Sequence, residues 1–420
     1  MTTLDRAQPP PFHLSSDYSL AQPETVHLKD GSPFFLFRDL QQDVVKLELI
    51  FDAGKWFEHK LGVGHFTAQM LSKGTIKKNS FQIAEALDSL GAHLEIAPGF
   101  DTVSISLFAL RKNLLTATGI VAELLMEPSF ENEELRLMKE IFLQTLKVNN
   151  EKTSVIASKE IRNVIFGKDH PYGSAVEGAD VKEIEQRDLQ LFFNDYFSLR
   201  SAFLVGRLSD LELQELIKII PTKVGTNQKP RKFEIVPGVS HAIGKSGSIQ
   251  SSIRLGKRCL PRSERKDYAE AIMFNHLLGG FFGSRLMKNI REEKGLTYGI
   301  YSSMNHFLHE GFWVIGAEVN QQNTGKAIEE IKNEIKKLQE ELVPSDELEI
   351  AKNYFIGSWQ SENSTLFAVA EKIKSIHLWG LPVNYYSRHL EFIQQVTPAQ
   401  IQRIANDQFD TSNLFEIQVG

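Results

Sequence analysis

Cysteine is almost absent from this chain of 420 residues. Cys259 stands alone, which excludes an intrachain disulfide and any cysteine-based zinc cluster. Long apolar runs are missing too. No stretch of about 18 apolar residues occurs, so no transmembrane helix is expected. The opening segment, through Pro9-Pro10-Pro11, has no apolar core of the kind a signal peptide needs. There is no long basic run and the net charge is −6, so nothing points to nucleic acid or an anionic membrane surface as a partner. A soluble, cytoplasmic protein is the expectation.

What is present suits large cores. Apolar residues make up 42% and charged residues 24%, ordinary for a globular protein, and the length favours two domains of roughly 200 residues. Pro33 to Arg38 reads as a short aromatic strand. Val45, Leu47, Leu49 and Phe51 alternate with Lys46 and Glu48, the period of a half-buried strand. Helices are expected at 62–72 and 80–90, the second ended by Gly91 as a left-handed cap. Strands at 92–97 and 103–110 follow, then helices at 113–126 and 131–147, the last entered through Pro128-Ser129.

Residues 249–362 repeat that order. A strand at 249–259 leads to helices at 266–278 and 284–293, Gly295 caps the second, and strands at 297–305 and 312–319 follow. The next helix carries Ile328, Ile331, Ile335, Leu338 and Leu342 at spacings of three and four. Pro344-Ser345 opens another. The chain thus reads as two copies of one α+β unit, each a mostly antiparallel sheet packed against helices. The divisions expected are an arm at 1–23, a domain at 24–222, a linker at 223–233 and a second domain at 234–420. The linker lies where Pro, Gly, Thr, Asn and Lys gather.

The chemistry of the first copy centres on His65, Ala68 and Gln69. His-x-x-Glu-His on a helix places two imidazoles on one face to hold zinc, with a glutamate beside them to activate its water. Here the same frame has alanine for the base and an amide for the second ligand. An amide is a poor zinc ligand beside imidazole or thiolate, and one neutral imidazole does not replace the three protein ligands of a catalytic zinc.

Four segments in order carry a family resemblance: Gly64-His65-Phe66 with Lys73-Gly74-Thr75, then His170-Pro171-Tyr172-Gly173, then Gly279 to Leu286, then Ile290 to Tyr298. With them the chain resembles the pitrilysin-type inverzincin peptidases, and within them the half-size branch that includes mitochondrial processing peptidase subunits and bacterial two-subunit relatives. The resemblance implies a third zinc ligand about 76 residues beyond the second histidine position, where this chain has Thr145. Base, second ligand and third ligand are then all lost. It also implies that the strand after the second helix is an edge on which substrate pairs. Pro98 in that strand removes a donor and is expected to blunt the edge, or simply to begin a turn.

Arg291 and Tyr298 match the family's Arg-x6-Tyr pair, which the resemblance places opposite the zinc as donors to the substrate carbonyl. Gly279, Gly280, Phe281, Phe282 and Gly283 match a substrate-contacting loop. The expected role is therefore the substrate-binding or regulatory subunit of a heterodimeric metallopeptidase acting on peptides or unfolded segments. Such a chain has no activity alone and no cofactor of its own, zinc residing only in a homologous partner, and in isolation it is free to form a homodimer. The readings held against this are a purely structural assembly subunit of the same fold and, last, a self-sufficient zinc endopeptidase.

Overall fold

The computed structural model describes residues 18–38, 42–222, 225–226, 232–263 and 265–420, and the elements below are those of the described residues. The expected arm lies outside them up to residue 17, as do 223–224 and 227–231 of the expected linker. One sheet is formed by β1 (Glu24–His27), β2 (Pro33–Arg38), β3 (Val44–Phe51), β4 (His93–Pro98), β5 (Val103–Leu110) and β6 (Leu199–Gly206), in the order β1-β2-β6-β3-β5-β4. A second is formed by β7 (His241–Ile243), β8 (Gln250–Arg258), β9 (Thr297–His306), β10 (Gly311–Asn320) and β11 (Phe415–Val419), in the order β7-β11-β8-β10-β9.

Apart from β1, the two orders are the same. In each, a parallel pair (β2 with β6, β7 with β11) joins an otherwise antiparallel sheet. Gly91 and Gly295 both adopt left-handed φ, 59° and 60°, and each precedes the outermost strand of its sheet. The duplication read from those glycines is therefore present in the hydrogen-bond ladders.

The helices that matter for function are α1 (Val63–Met70), α2 (Ser80–Ser89), α3 (Leu114–Met126), α4 (Asn132–Asn149), α5 (Thr153–Phe166), α6 (Gly178–Glu183) and α7 (Gln186–Tyr196), followed by α8 (Asp210–Ile219). In the second half they are α9 (Lys266–Asn275), α10 (Thr324–Glu340), α11 (Ser345–Glu362), α12 (Leu366–Trp379), α13 (Tyr385–Gln395) and α14 (Pro398–Gln408). Leu342, read as the end of a helical stripe, lies beyond α10 and is 58% exposed, whereas Ile331, Ile335 and Leu338 are fully buried.

Each half covers the other's sheet with one helix. Ala157, Ile161 and Ile165 of α5 pack against Phe312, Val314, Ile417 and Val419 of the second sheet. Val369, Ile373 and Ile376 of α12 pack against Ile50, Phe203 and Val205 of the first. This exchange explains a departure in β3. Its Lys46/Glu48 face, expected to meet water, lies under α12, and Glu48 is only 4% exposed. Burial is matched by charge: Lys374 Nζ of α12 reaches Glu48 Oε1 at 2.8 Å and Lys46 Nζ reaches Oε2 at 2.9 Å. A buried carboxylate held by two ammonium groups ties the halves in one register.

The segment His170-Pro171-Tyr172-Gly173 locks them a second time. Tyr172 stacks on Phe307 of the second half at 4.1 Å between ring centroids. Its hydroxyl donates to Asp101 Oδ1 at 2.5 Å, while Leu308 N–H donates to Asp101 Oδ2 at 3.0 Å. Trp56 stacks on His309 at 4.1 Å. Gly173 has no alternative here, since a Cβ would lie 2.1 Å from the Gly167 carbonyl oxygen.

Candidate functional site

The helix bearing His65 starts at Gly62, whose φ of 90° suits glycine. No side chain within the first turn caps it. Instead Glu58 reaches in from upstream, its carboxylate oxygens each accepting at 2.9 Å, one from Gly62 N–H and one from Gly64 N–H. This satisfies two orphan donors and places negative charge at the positive end of the helix. Gly64 leaves room for it: a Cβ there would lie 3.1 Å from both Glu58 Oε1 and Phe192.

His65 does not face a ligand set. Its ring lies 5.0 Å from that of Phe142 on α4, and burial lowers its pKa, favouring neutral imidazole. Ala68 is fully buried in the first core. Gln69 donates its side-chain N–H to the Ile96 carbonyl of β4 at 2.9 Å, so the amide that replaces a ligand ties the helix to the outermost strand. Thr145 is exposed and its hydroxyl donates to Ile141 of its own helix at 2.9 Å. The residue that α4 sets opposite His65 is therefore Phe142, three positions before the one reached by counting. These groups do not fit a catalytic zinc, which needs three ligands converging on one point. Among the described residues no three of His, Cys, Asp and Glu gather where they could hold a metal ion.

Beside His65 opens a cavity of about 600 Å³. Its walls include Phe100, Phe142, Leu146 and Val176, and its polar members include Lys55, Glu58, Arg162 and Arg254. Burial pushes the Glu58 carboxyl up to about 7, against the Gly62 and Gly64 hydrogen bonds that lower it. Burial likewise pushes Lys55 down to about 8. Sequence reasoning passed over these charges because they come from three separated segments. The only hint was a lysine and a glutamate set among the aromatics of Gly54-Lys55-Trp56-Phe57-Glu58.

Pro98 also borders this cavity. It is the last residue of β4, paired with Val103, and Gly99 N–H then donates to the Thr102 carbonyl at 2.8 Å. The proline thus stands where the outer strand enters its turn.

The second-half residues lie elsewhere. Arg291 and Tyr298 do not line the cavity. Tyr298 is on β9, the outermost strand of its sheet, and is 92% exposed. The Arg291 guanidinium stacks over Phe282 at 4.7 Å from the ring centroid. The glycine-rich segment is divided in its roles. Gly279 allows close approach to β9, since a Cβ would lie 2.7 Å from the Ser302 backbone, and a Cβ on Gly280 would lie 3.0 Å from His276 Nδ1. Phe281 packs inward on His276 at 4.6 Å, and Gly283 gives its ring space. Phe282 is 60% exposed and carries the stack with the half-buried Arg291.

Two family profiles match the chain in succession. The family profile described as "Insulinase (Peptidase family M16)" matches residues 35–179, and that described as "Peptidase M16 inactive domain" matches residues 184–355. An uncharacterized zinc protease of Rickettsia bellii is 25% identical over 395 residues, covering 92% of this chain and 94% of its own. A non-peptidase homolog, YmxG, of Helicobacter pylori is 24% identical over 353 residues, covering 82% and 81%. A crystal structure of a peptidase M16 inactive domain from Pseudomonas fluorescens superposes with a TM-score of 0.85 at 23% identity, over 95% of this chain and 98% of the other. Among the described residues no helix is long and apolar enough to cross a membrane.

Proposed function

Since the chain belongs to peptidase family M16, we propose that it is a subunit without a hydrolytic centre of its own, which presents Arg291 and Tyr298 to a homologous, metal-bearing partner. The observation that carries this reading is the separation of the two half-sites. The position of the lost ligands is walled by Phe142 and Gln69, while Tyr298 faces outward from an open sheet edge and Arg291, half-buried in the helical turn before that strand, stacks on the exposed Phe282. A guanidinium and a phenol held there can donate to a substrate carbonyl oxygen as negative charge builds on it in the partner's centre. The open backbone of β9 supplies further donors and acceptors to an extended peptide. The name of the Helicobacter relative, a non-peptidase homolog, agrees with a chain that is inactive alone. A cytoplasmic location belongs to the same proposal.

The test is reconstitution. Mixed with a homologous chain that carries an intact His-x-x-Glu-His, the protein should form a stoichiometric complex that cleaves unfolded peptides, while neither chain does so alone. A partner that is fully active without this chain would refute the reading.

A further inference from the structure

We infer that the cavity beside His65 is a binding site for a small amphipathic carboxylate, one anionic group on an apolar body. Its volume falls within the range of small-molecule sites. Its walls at Phe142, Leu146, Val155 and Val176 are apolar, which suits a hydrocarbon or aliphatic side chain and not a phosphate ester that needs donors on every side.

Two cations of the wall, Lys55 and Arg162, make no ion pair within 4 Å among the described residues; Glu58 is near enough to favour the Lys55 ammonium, whereas burial alone acts on Arg162. Lys55 Nζ donates to the Ser174 carbonyl at 2.5 Å and lies 5.5 Å from the Phe100 ring centroid. The Arg162 guanidinium lies 5.9 Å from the same ring. Its Nη1 donates to the Ser158 carbonyl at 2.9 Å, and its buried Nε has no partner. The remaining cations of the wall are already neutralised, Arg254 by Glu318 at 3.0 Å and Lys159 by Glu177 at 3.2 Å. Glu58, the carboxylate of the wall, is committed to the backbone of Gly62 and Gly64. Buried cations are ordinarily paired, and an unpaired arginine nitrogen beside a lysine is a vacancy for an anion that accepts from both. Loss of the hydrolytic ligands leaves this volume free to hold a ligand that is not turned over.

Two sources share that chemistry, a free medium-chain acid and the C-terminal residue of a short peptide. The full chain alone is titrated by calorimetry with octanoate, with octanamide, with N-acetyl-Ala-Ala-Leu and with its C-terminal amide. One or both acids should bind saturably at one site per chain, each at least tenfold tighter than its amide, and the acid that binds identifies the source. Arg162→Met and Lys55→Met should each weaken that binding at least tenfold, and Arg162→Lys should retain more of it than Arg162→Met. Far-ultraviolet circular dichroism and melting of the ligand-free variants confirm that they fold, and a variant that does not fold leaves the acid-to-amide ratio of the native chain to decide. Failure of both acids to bind, equal binding of acids and amides, or unchanged binding by a folded Arg162→Met would overturn the proposal. None of these outcomes depends on a peptidase partner.

Discussion

In the reconstituted complex, Arg291→Ala should lower peptide turnover by about 10²- to 10³-fold, the loss seen when one donor to a developing oxyanion is removed. Tyr298→Phe should lower it in the same direction, because only a hydroxyl is lost from a side chain that is 92% exposed. Neither change should disturb the chain itself. Arg291 gives up a surface stack on Phe282 and Tyr298 buries almost nothing, so stability should stay within about 0.5 kcal/mol of the parent. Size-exclusion chromatography of each variant with the partner separates the explanations. Intact assembly with lost turnover supports donation in trans, and intact assembly with full turnover supports a purely structural subunit.

Acid should destabilise the chain by several kcal/mol, on the order of 5, between pH 7 and pH 4.5. His170, His276 and His389 are 2%, 7% and 8% exposed, His306 is half-buried, and burial pushes each of the four down to about 4. An imidazole whose pKa is lower folded than unfolded contributes stability that is complete above its ordinary value. That stability is lost as pH falls through about 4, since the unfolded chain takes up the protons first. Glu58 works against them over the same window. Raised to about 7, it favours the folded state at low pH and loses that contribution as pH rises. Asp101, also raised by burial, acts in the same sense as Glu58. The imidazoles outnumber these carboxyls, so the net slope is toward acid instability. Urea midpoints measured from pH 7 to 4.5 check the sign, and His276→Leu should flatten the curve by removing one imidazole whose Nε2 already lacks a partner.

Much of the fold was legible because its signals are local. Gly91 and Gly295 mark left-handed caps wherever they occur, and Val103, Ile105 and Leu107 alternate because one face of β5 meets the core. The exchange of α5 and α12 was not legible. Periodicity states that a helix buries a stripe, and does not state which sheet receives it. Glu48 looked solvent-facing for the same reason. Counting along the chain leads to Thr145, yet the ring against His65 is that of Phe142, one helical turn earlier, and a fixed offset carries no information on such contacts. The cavity charges escaped for a third reason: Lys55, Arg162 and Arg254 meet through packing between the halves and share no spacing. His170 to Gly173 was visible as a motif, yet its work in joining Tyr172 to Phe307 and Asp101 required the second half to be in place.

The measurement closest to the central claim is the metal content of the pure, full chain after equilibration with zinc and removal of loosely held ions. The account predicts far less than one zinc per chain, with no cleavage of unfolded peptides and no change on His65→Ala. One tightly held zinc per chain, lost on His65→Ala and accompanied by peptide cleavage, would contradict it.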